Sequence, residues 1–256
     1  MKIYLINRKT ILKMAVVLLV LGVSIIGTNE FNINIESVFN PNKELPIYYV
    51  DSKEKKVSIS FDAAWGTEHT EAILDILDKY NVKTTFFLVD FWVTKHPDMV
   101  KEIDRRGHEV ANHSTTHPKM SELSKEDMIK EIKTTEESIE KIIGKKTTLF
   151  RPPFGDYNDS LIQTSREINY HVIQWDVDSL DWKEMGAQPV VDRVTRNVKN
   201  GSIVLFHNNA KYVQEYLPLV IDKLQKDGYE IVPISELIYK ENYRMESDGK
   251  QVQNKK

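Results

Sequence analysis

The chain has 256 residues, a formal net charge of −3 and a hydrophobic fraction of 41%. This length suits one sizeable domain with an extension, because a chain of this size buries most of its apolar surface in a single core. The small negative charge leaves no basic surplus to neutralise a phosphate backbone, so nucleic acid is excluded as an expected partner. The sequence contains no cysteine, which excludes disulfides and leaves His, Asp and Glu as the only strong metal ligands.

The N-terminal residues predict export from the cell. The uncharged run MAVVLLVLGVSIIG at 14–27 follows a basic segment that contains Lys2, Arg8, Lys9 and Lys13. A basic region before an apolar region is the pattern of an export signal. An A-x-A cleavage site does not follow, so we predict residues 1–28 to be a signal peptide or an uncleaved membrane anchor, with the anchor preferred. The rest of the chain is then expected on the outer face of the cell membrane or secreted.

Composition divides the remaining chain into three parts. Residues 29–46 are mostly polar, contain several Asn and Pro41, and are predicted to be a juxtamembrane linker. No charge-rich or low-complexity block interrupts residues 47–240, which we predict to be one domain. Residues 241–256 are polar and lack periodicity, so a loose tail is expected there.

Short apolar runs rich in Val, Ile and Phe alternate with amphipathic patterns along the domain. Ile73, Leu74 and Leu77 recur at helical spacing after the first run, which predicts a helix between the first two strands. A second helix is predicted to begin at Ser124, in a sequence that resembles a capping box, and to end at Gly144. Two more helical patterns, at 190–198 and 217–224, precede the last two strands. The predicted strands are 57–61, 84–89, 109–111, 148–150, 170–175, 202–206 and 230–232.

The order strand, helix, strand predicts parallel strands joined by right-handed crossovers. Such a chain forms either an open doubly wound sheet or a closed barrel, and seven predicted strands favour the barrel. A Rossmann fold needs a glycine-rich turn after its first strand, whereas residues 63–66 read AAWG. We therefore predict an α/β barrel behind the N-terminal segment.

Ionisable side chains follow five of the predicted strands. In a parallel barrel the carboxyl ends of the strands meet at one mouth, where the loops converge and chemistry takes place. Amphipathic packing does not require charged residues at these positions, so a functional cleft is the simplest explanation. The residues are Asp62 after the first strand, His113 and His117 after the third, Arg151 after the fourth, Asp176, Asp178 and Asp181 after the fifth, and His207 after the sixth.

Each of these residues also has an ordinary structural interpretation. Asp62 fits a helix cap or a turn, and Arg151 fits a surface position. His207 ends an apolar strand and fits a buried core histidine, although a histidine there can also donate a proton. The segment NHSTTHP has the His-x-x-x-His spacing that lets two imidazoles reach one ion, and its alternative is a pair of solvated surface histidines. The common place of these residues at strand ends favours a catalytic site with a metal ion.

Five motifs in a fixed order carry a family resemblance. They are SFDAAWG at 60–66, HSTTH at 113–117, RPPF at 151–154, DSLDW at 178–182 and LFH at 205–207. Together they resemble the motifs of the NodB-homology polysaccharide deacetylases, carbohydrate esterase family four, over residues 57–237. The variant SFDAAWG, with the predicted anchor, is most similar to the sporulation-associated, membrane-anchored branch. The resemblance implies a distorted (β/α)7 barrel.

The resemblance also implies metal-dependent removal of acetyl groups from N-acetylated sugars of cell-wall glycan, with spore-related peptidoglycan as the expected material. Asp62 is implied as the general base that deprotonates water, and Arg151 as the residue that pairs with it. His113 and His117 are implied as ligands of zinc or a similar divalent ion. Amide hydrolysis needs these parts, because it requires an activated water and an electrophile for the developing oxyanion.

The remaining implied roles concern the leaving group and the acetyl pocket. Asp181 is implied to orient His207, which protonates the leaving amine. The backbone N–H near Phe154 is implied to stabilise the tetrahedral oxyanion together with the ion. Trp182 and Leu205 are implied to line the acetyl pocket.

One position departs from the family pattern. The second aspartate of the first motif is a metal ligand in the family, and this chain has Ala63 there. Catalytic zinc generally takes three protein ligands, so the ion is expected to be weakly held or absent, or to recruit a substitute ligand. Asp90 is the first candidate for that substitute and Asn112 a weaker one. His69 is expected at the surface.

Three functions remain open on the sequence. The leading hypothesis is an exported N-deacetylase of cell-wall glycan, and the second is a catalytically weak or inactive glycan-binding protein of the spore envelope. The third is a hydrolase of glycosidic bonds that uses two carboxylates, Asp62 with Asp178 or Asp181. The expected partners are the N-acetylated polysaccharide and, through residues 1–28, the membrane. We expect a monomer.

Overall fold

The computed structural model describes residues 43–254. The predicted anchor at 1–28 and most of the predicted linker lie outside these residues, as do 255 and 256. Within 43–254, no helix has both the length and the apolar character needed to cross a membrane. The described residues belong to one compact unit.

A curled sheet of parallel strands is the centre of the molecule. The strands of residues 43–254 are β1 (Tyr49–Val50), β2 (Lys56–Ala63), β3 (Thr85–Leu88), β4 (Glu109–Asn112), β5 (Leu149–Phe150), β6 (His171–Val172), β7 (Val177–Asp178), β8 (Ile203–His207), β9 (Glu230–Ile231), β10 (Tyr243–Met245) and β11 (Lys250–Gln253). Seven of them pair in the order β6-β5-β4-β3-β2-β8-β7, and β9 pairs with the start of β2. All of these ladders are parallel, which confirms the predicted (β/α)7 barrel in a distorted form.

Helices connect the strands and cover the outer face of the sheet. They are α1 (Thr70–Lys79), α2 (Asp90–Lys95), α3 (Pro97–Arg105), α4 (Lys125–Ile143), α5 (Asp159–Glu167), α6 (Ala187–Asn197), α7 (Val213–Lys226) and α8 (Ile234–Leu237). The predicted caps of α4 are confirmed. The Ser124 hydroxyl accepts a hydrogen bond from the N–H of Asp127, and Gly144 ends the helix in the left-handed conformation at φ 70°.

The central strand β2 has an apolar side and a polar side, because successive side chains of a strand point to opposite faces. Phe61 is fully buried and stacks between Phe86 and Phe206 of the neighbouring strands, with ring centroids 5.1 Å and 5.7 Å away. These rings belong to the apolar cluster that the helices cover. Asp62, one residue further along β2, points to the other face and contacts Arg151. The polar face therefore lies inside the curl of the sheet.

The residues before β2 form part of the barrel wall. Among the described residues no ladder joins β6 to β7, the two ends of the strand order. Ile47 forms a parallel bridge with Ile173, and Tyr49 forms an antiparallel bridge with Ser202. The segment around residues 47–49 thus connects the ends of β6 and β8, where the sheet would otherwise be open.

The prediction of a loose tail at 241–256 is wrong for residues 243–253. Strands β10 and β11 pair there in antiparallel fashion, and β11 also pairs with β1 in parallel. The chain turns at Gly249, which has φ 80°, and a Cβ atom there would collide with the ring of Tyr48. The amide of the fully buried Gln251 bonds to both backbone groups of Tyr239, at 2.8 Å and 2.6 Å. A turn and a buried amide stabilise this hairpin, so apolar periodicity did not reveal it.

The sequence also misplaced elements around the fifth predicted strand. Only β6 lies within 170–175, and β7 follows as a separate strand at the opposite end of the strand order. The helices α2, α3, α5 and α8 were not predicted. The buried face of α5 combines Leu161 and Ile162 with Thr164 and Ser165, so its apolar pattern is too short to indicate a helix.

Candidate active site

A cavity of about 520 Å³ lies at the carboxyl ends of the parallel strands. Arg151 and Asp181 are buried behind its wall, at 0% and 3% exposure. The other predicted site residues line the cavity directly: Asp62, His113, His117, Phe154, Trp182, Leu205 and His207. The structure thus brings all nine predicted side chains together at one end of the barrel.

Asp62 and Arg151 form a buried ion pair between β2 and the end of β5. Arg151 Nη1–H donates to Asp62 Oδ1 at 2.7 Å, and Nη2–H donates to Ser60 Oγ at 2.9 Å. The guanidinium carbon lies 4.1 Å from the ring centroid of Phe87, which covers one face of the group. Charge, hydrogen bonds and stacking therefore fix the arginine, and the arginine fixes one oxygen of Asp62.

This pairing controls the ionisation of Asp62. Burial alone would raise the pKa of Asp62, but the positive charge of Arg151 and the neighbouring His113 and His207 hold that pKa below its usual range. Asp62 is a carboxylate at neutral pH. Its second oxygen, Oδ2, lies 3.5 Å from Nε2 of His113.

The two imidazoles of the HSTTH segment lie side by side. His113 Nδ1 lies 2.7 Å from the carbonyl oxygen of Arg151, so this nitrogen carries the proton and Nε2 has a free lone pair. The ring centroids of His113 and His117 are 5.1 Å apart. Burial lowers the pKa of His113, and burial with the neighbouring His113 lowers the pKa of His117 to about 4. Both rings are therefore neutral at neutral pH.

Helix α4 holds the loop between the two histidines. The carboxylate of Glu131 accepts hydrogen bonds from the N–H groups of Thr115 and Thr116 and from the Thr116 hydroxyl, each at 2.8 Å. Ser114 and His117 adopt the left-handed region at φ 72° and φ 59°, which costs roughly 1 kcal/mol or more for a residue with a side chain. Hydrogen bonds to one carboxylate offset that cost and hold the imidazoles close together.

His207 is oriented by a fully buried aspartate. His207 Nδ1 lies 2.7 Å from Asp181 Oδ1, and Asp181 Oδ2 accepts from the N–H of His207 at 2.8 Å and from the hydroxyl of Tyr216 at 2.7 Å. Burial lowers the pKa of His207, but the hydrogen bond and the charge of Asp181 outweigh this and raise it above the ordinary value. Nδ1 is occupied by the aspartate, so Nε2 is the nitrogen available to a ligand in the cavity.

The remaining predicted residues shape the wall. Leu205 is buried on β8, whereas Phe154 and Trp182 are exposed by 68% and 57%. Phe154 adopts a left-handed φ of 60° in the turn after Arg151, and its ring lies 4.6 Å from that of His117. These positions agree with contact to a ligand, and the oxyanion and acetyl-pocket roles stay predictions.

The sequence did not identify every residue of the wall. Ala64, Trp65, Trp175 and Asn209 also line the cavity. Trp65 follows the end of β2 at the mouth of the barrel, so its place beside Asp62 was a usable signal. Trp175 and Asn209 lie in loops whose conformation the pattern of apolar residues does not determine.

Comparison with known proteins identifies the family. Residues 49–173 match the family model for polysaccharide deacetylase. A peptidoglycan-N-acetylglucosamine deacetylase of Bacillus cereus is 34% identical over 194 residues, which are 74% of this chain and 91% of that protein. The chain belongs to the polysaccharide deacetylase family. The uncharacterised protein YlxY of Bacillus subtilis is also 34% identical, over 75% of this chain, and the chain spans only 60% of that protein's length.

Solved structures of the family share the fold. A carbohydrate esterase family 4 pseudoenzyme from Bacillus anthracis aligns with a TM-score of 0.73 at 33% identity, covering 82% of this chain and 73% of that one. A mutant of that pseudoenzyme with restored enzymatic activity aligns with the same TM-score of 0.73 at 36% identity, covering 80% and 72%. The pseudoenzyme and its active mutant therefore share this fold.

The donor set for a metal ion is incomplete in this deacetylase-family chain. The family's deacetylases are metal-dependent in general. His113 and His117 supply two neutral imidazoles, a donor type that suits zinc. Within residues 43–254, however, no group of three His, Cys, Asp or Glu side chains could hold a metal ion. Catalytic zinc generally takes three protein ligands, so the residues present do not fit a tightly held catalytic zinc.

The structure contradicts both predicted substitute ligands. Asp90 does not line the cavity; it begins α2, and its N–H donates to the carbonyl oxygen of Ser114 at 3.1 Å. The side chain of Asn112 donates to the carbonyl oxygen of Ile132 and accepts from the N–H of Ser114, so it fixes backbone on the helix side of β4. His69 lies outside the cavity, just before α1.

The two alanines after Asp62 have different surroundings. Ala63 is fully buried and belongs to the apolar cluster that contains Phe61. Ala64 lines the cavity. Ala63 is the last residue of β2, whereas Ala64 lies in the bend that follows the strand, and this explains the difference. The family motif has its metal-binding aspartate at the position of Ala63. In this chain the alanine that lines the cavity is Ala64.

Proposed function

We propose that this chain is a hydrolase that removes N-acetyl groups from amino sugars of peptidoglycan. The observation that carries the proposal is the pairing of Asp62 with Arg151 and of His207 with Asp181 at one cavity. Asp62 and His207 are register partners on neighbouring strands, so a base and an acid lie side by side. The Bacillus cereus relative is a peptidoglycan-N-acetylglucosamine deacetylase, which supports the choice of substrate.

The side chains supply the proton transfers of amide hydrolysis. The Asp62 carboxylate takes a proton from water as the water oxygen attacks the acetyl carbonyl carbon. The oxyanion forms near Phe154, whose backbone N–H we propose as a donor. The C–N bond then breaks while His207 Nε2–H gives its proton to the amine nitrogen, and the products are acetate and a free amino sugar. Arg151 and Asp181 hold the base and the acid in these states.

The proposed ion is zinc, on the chemistry of the two imidazoles. Two protein ligands predict weak binding, because the third ligand of a catalytic site is missing. We expect purified protein to lose its zinc on dialysis against a mild chelator.

A second candidate function is glycan binding without catalysis. The incomplete donor set favours it, as does the similarity to a Bacillus anthracis pseudoenzyme at 33% identity. Such a protein would keep the cavity and its aromatic wall and release no acetate.

One set of assays separates the candidates. Acetate release from peptidoglycan fragments under saturating zinc is measured for wild type, for Asp62→Asn, and for Asp192→Asn, which changes a partly exposed carboxylate on α6 outside the cavity. Acetate release that depends on Asp62 and not on Asp192 supports deacetylation. Binding of the fragments without acetate release supports the second candidate. New reducing ends without acetate would instead reveal cleavage of glycosidic bonds by Asp62 with Asp178.

We further propose that the domain acts as a monomer on the outer side of the cell membrane, held there by residues 1–28, in spore-related wall material. The basic and apolar N-terminal sequence supports this location. Protease treatment of intact cells is expected to digest the domain. Protection of the domain until the cells are lysed would contradict the proposal.

A further inference from the structure

Exposed aromatic side chains are concentrated at the mouth of the cavity. Trp65, Phe154 and Trp182 line the cavity, and the ring of Phe91 lies 6.2 Å from that of Trp65. Clustered exposed apolar side chains mark binding surfaces, because leaving them in water is unfavourable. Among residues 43–254 the large apolar side chains that remain exposed are Trp65, Phe91, Phe154, Trp182, Met185 and Leu219.

Trp65 and Phe91 extend the wall of the cavity outward. The indole of Trp65 lies edge-on to the ring of His117, with centroids 5.3 Å apart. His117 lines the cavity and Phe91 does not, so the row from Phe91 through Trp65 to His117 runs from the outer surface into the site. Trp65 is 59% exposed and Phe91 is 38% exposed, which leaves ring surface available to a ligand.

The backbone beside Trp65 is held in place from two sides. The carbonyl oxygen of Gly66 accepts a hydrogen bond from Trp92 Nε1–H at 2.7 Å and another from Asn208 Nδ2–H at 2.9 Å. Trp92 and Asn208 are almost fully buried, at 1% exposure each. The loop that presents Trp65 is therefore ordered before a ligand arrives, which lowers the entropic cost of binding.

We propose that Trp65 and Phe91 form a stacking subsite for the sugar that adjoins the N-acetylated sugar in the cavity. A pyranose ring has faces made mainly of C–H groups, which pack flat against an aromatic ring. A glycan strand that leaves the cavity along the row of rings meets Trp65 first and then Phe91. The choice of a glycan as the ligand rests on the proposed function, whereas the aromatic surface is a property of the structure.

The test measures how affinity depends on the length of the glycan. The dissociation constants of β-1,4-linked N-acetylglucosamine oligomers of one to five sugars are measured by calorimetry for wild type, Trp65→Ala and Phe91→Ala. The matched control is Leu219→Ala, an exposed apolar side chain on α7 outside the cavity. We expect wild type and the control to gain about tenfold in affinity when the oligomer becomes long enough to reach Trp65, and both aromatic variants to lose that gain.

The affinity for a single sugar is expected to remain within about twofold in Phe91→Ala, because Phe91 does not line the cavity. An equal loss at every length, or an unchanged length dependence in both variants, would overturn the subsite. So would a wild type whose affinity does not change with length. Trp65→Phe keeps an aromatic ring at this position and is expected to retain most of the gain in affinity. This variant therefore distinguishes loss of the ring from a folding defect in Trp65→Ala.

The binding assay and the acetate assay fail independently. If affinity rises with oligomer length only when Trp65 is present, and no acetate is released, the subsite is supported and the proposed activity is contradicted. If acetate release depends on Asp62 but neither Trp65→Ala nor Phe91→Ala changes the affinity at any length, the activity is supported and the subsite is contradicted.

Discussion

Asp181 determines how His207 behaves in water and in catalysis. Its two oxygens accept three hydrogen bonds, from the backbone N–H and the ring Nδ1–H of His207 and from the hydroxyl of Tyr216. The charge and hydrogen bond of Asp181 raise the pKa of His207 although burial opposes this. His207 therefore keeps its proton to a higher pH than an exposed histidine, as a general acid at neutral pH requires.

We expect the pH dependence of kcat/KM to reflect the ionisation of His207, which Asp181 controls. Activity needs protonated His207 and ionised Asp62, whose pKa is lowered, so activity should be constant through weakly acidic pH and fall as pH rises through the raised pKa of His207. The decline beyond that pKa is about tenfold per pH unit. In Asp181→Asn the alkaline decline should move to lower pH, because the charge that raises the pKa is gone. An unchanged alkaline decline in that variant would contradict the assignment of His207 as the acid.

We expect the two alanines after Asp62 to differ as sites for a new carboxylate. Ala64→Asp should raise zinc affinity by about tenfold or more, because Ala64 lines the cavity with both imidazoles. Ala63→Asp should lower the free energy of unfolding by about 3 kcal/mol, because Ala63 is fully buried in an apolar cluster. Zinc titration and urea unfolding of both variants test this. A larger gain in zinc affinity in Ala63→Asp would show that the end of β2 rearranges around the ion.

At the level of elements, the site depends on how α4 packs against the end of β4. Glu131 on this helix holds the HSTTH loop through three hydrogen bonds, although it does not line the cavity. Two left-handed residues, Ser114 and His117, belong to that loop. Helix and loop therefore form one unit that positions the imidazoles.

We expect Glu131→Ala to loosen this unit. Loss of the carboxylate leaves the half-buried N–H of Thr115 and the exposed N–H of Thr116 without their partner, so the free energy of unfolding should fall by about 1 kcal/mol. Zinc affinity should fall as well, because it requires both imidazoles at one place. Glu137→Ala on an exposed position of the same helix is the matched control and should change neither quantity. Equal zinc affinity in Glu131→Ala and wild type would show that Glu131 does not position the two imidazoles.

The sequence predicted the site better than it predicted the elements around it. Residues that end parallel strands meet at one mouth, so Asp62, His113, Arg151 and His207 were found from their places in the chain. The strand β2 ends at Ala63 and the chain bends at Ala64, and a local pattern does not give the exact end of a strand, so the different surroundings of the two alanines needed the structure. Short elements such as β7 and the hairpin at 243–253 depend on pairing with distant residues, which a local pattern does not contain.

At the scale of the whole molecule, the C-terminal hairpin of β10 and β11 is joined to the barrel through β1. Strand β11 lies between β1 and β10, and the buried amide of Gln251 connects it to Tyr239 after α8. The segment around β1 in turn contacts β6 and β8. The hairpin is therefore part of the folded domain.

We expect Gln251→Ala to lower the free energy of unfolding by about 1–3 kcal/mol, because both backbone groups of Tyr239 lose their partner. Gln188→Ala, on the exposed surface of α6, is the control and should change stability by less than about 0.5 kcal/mol. Urea unfolding followed by circular dichroism measures both. Equal stability of the two variants would show that the hairpin is dispensable.

The ladder between Tyr49 and Lys250 has a consequence for how the chain folds. The two residues are separated by nearly the whole domain, and closing so long a loop is a slow, entropically costly step. During synthesis the segment near residue 49 can form this ladder only after the residues around 250 have left the ribosome. The wall near residue 49 is therefore complete only after both ends of the described domain have come together.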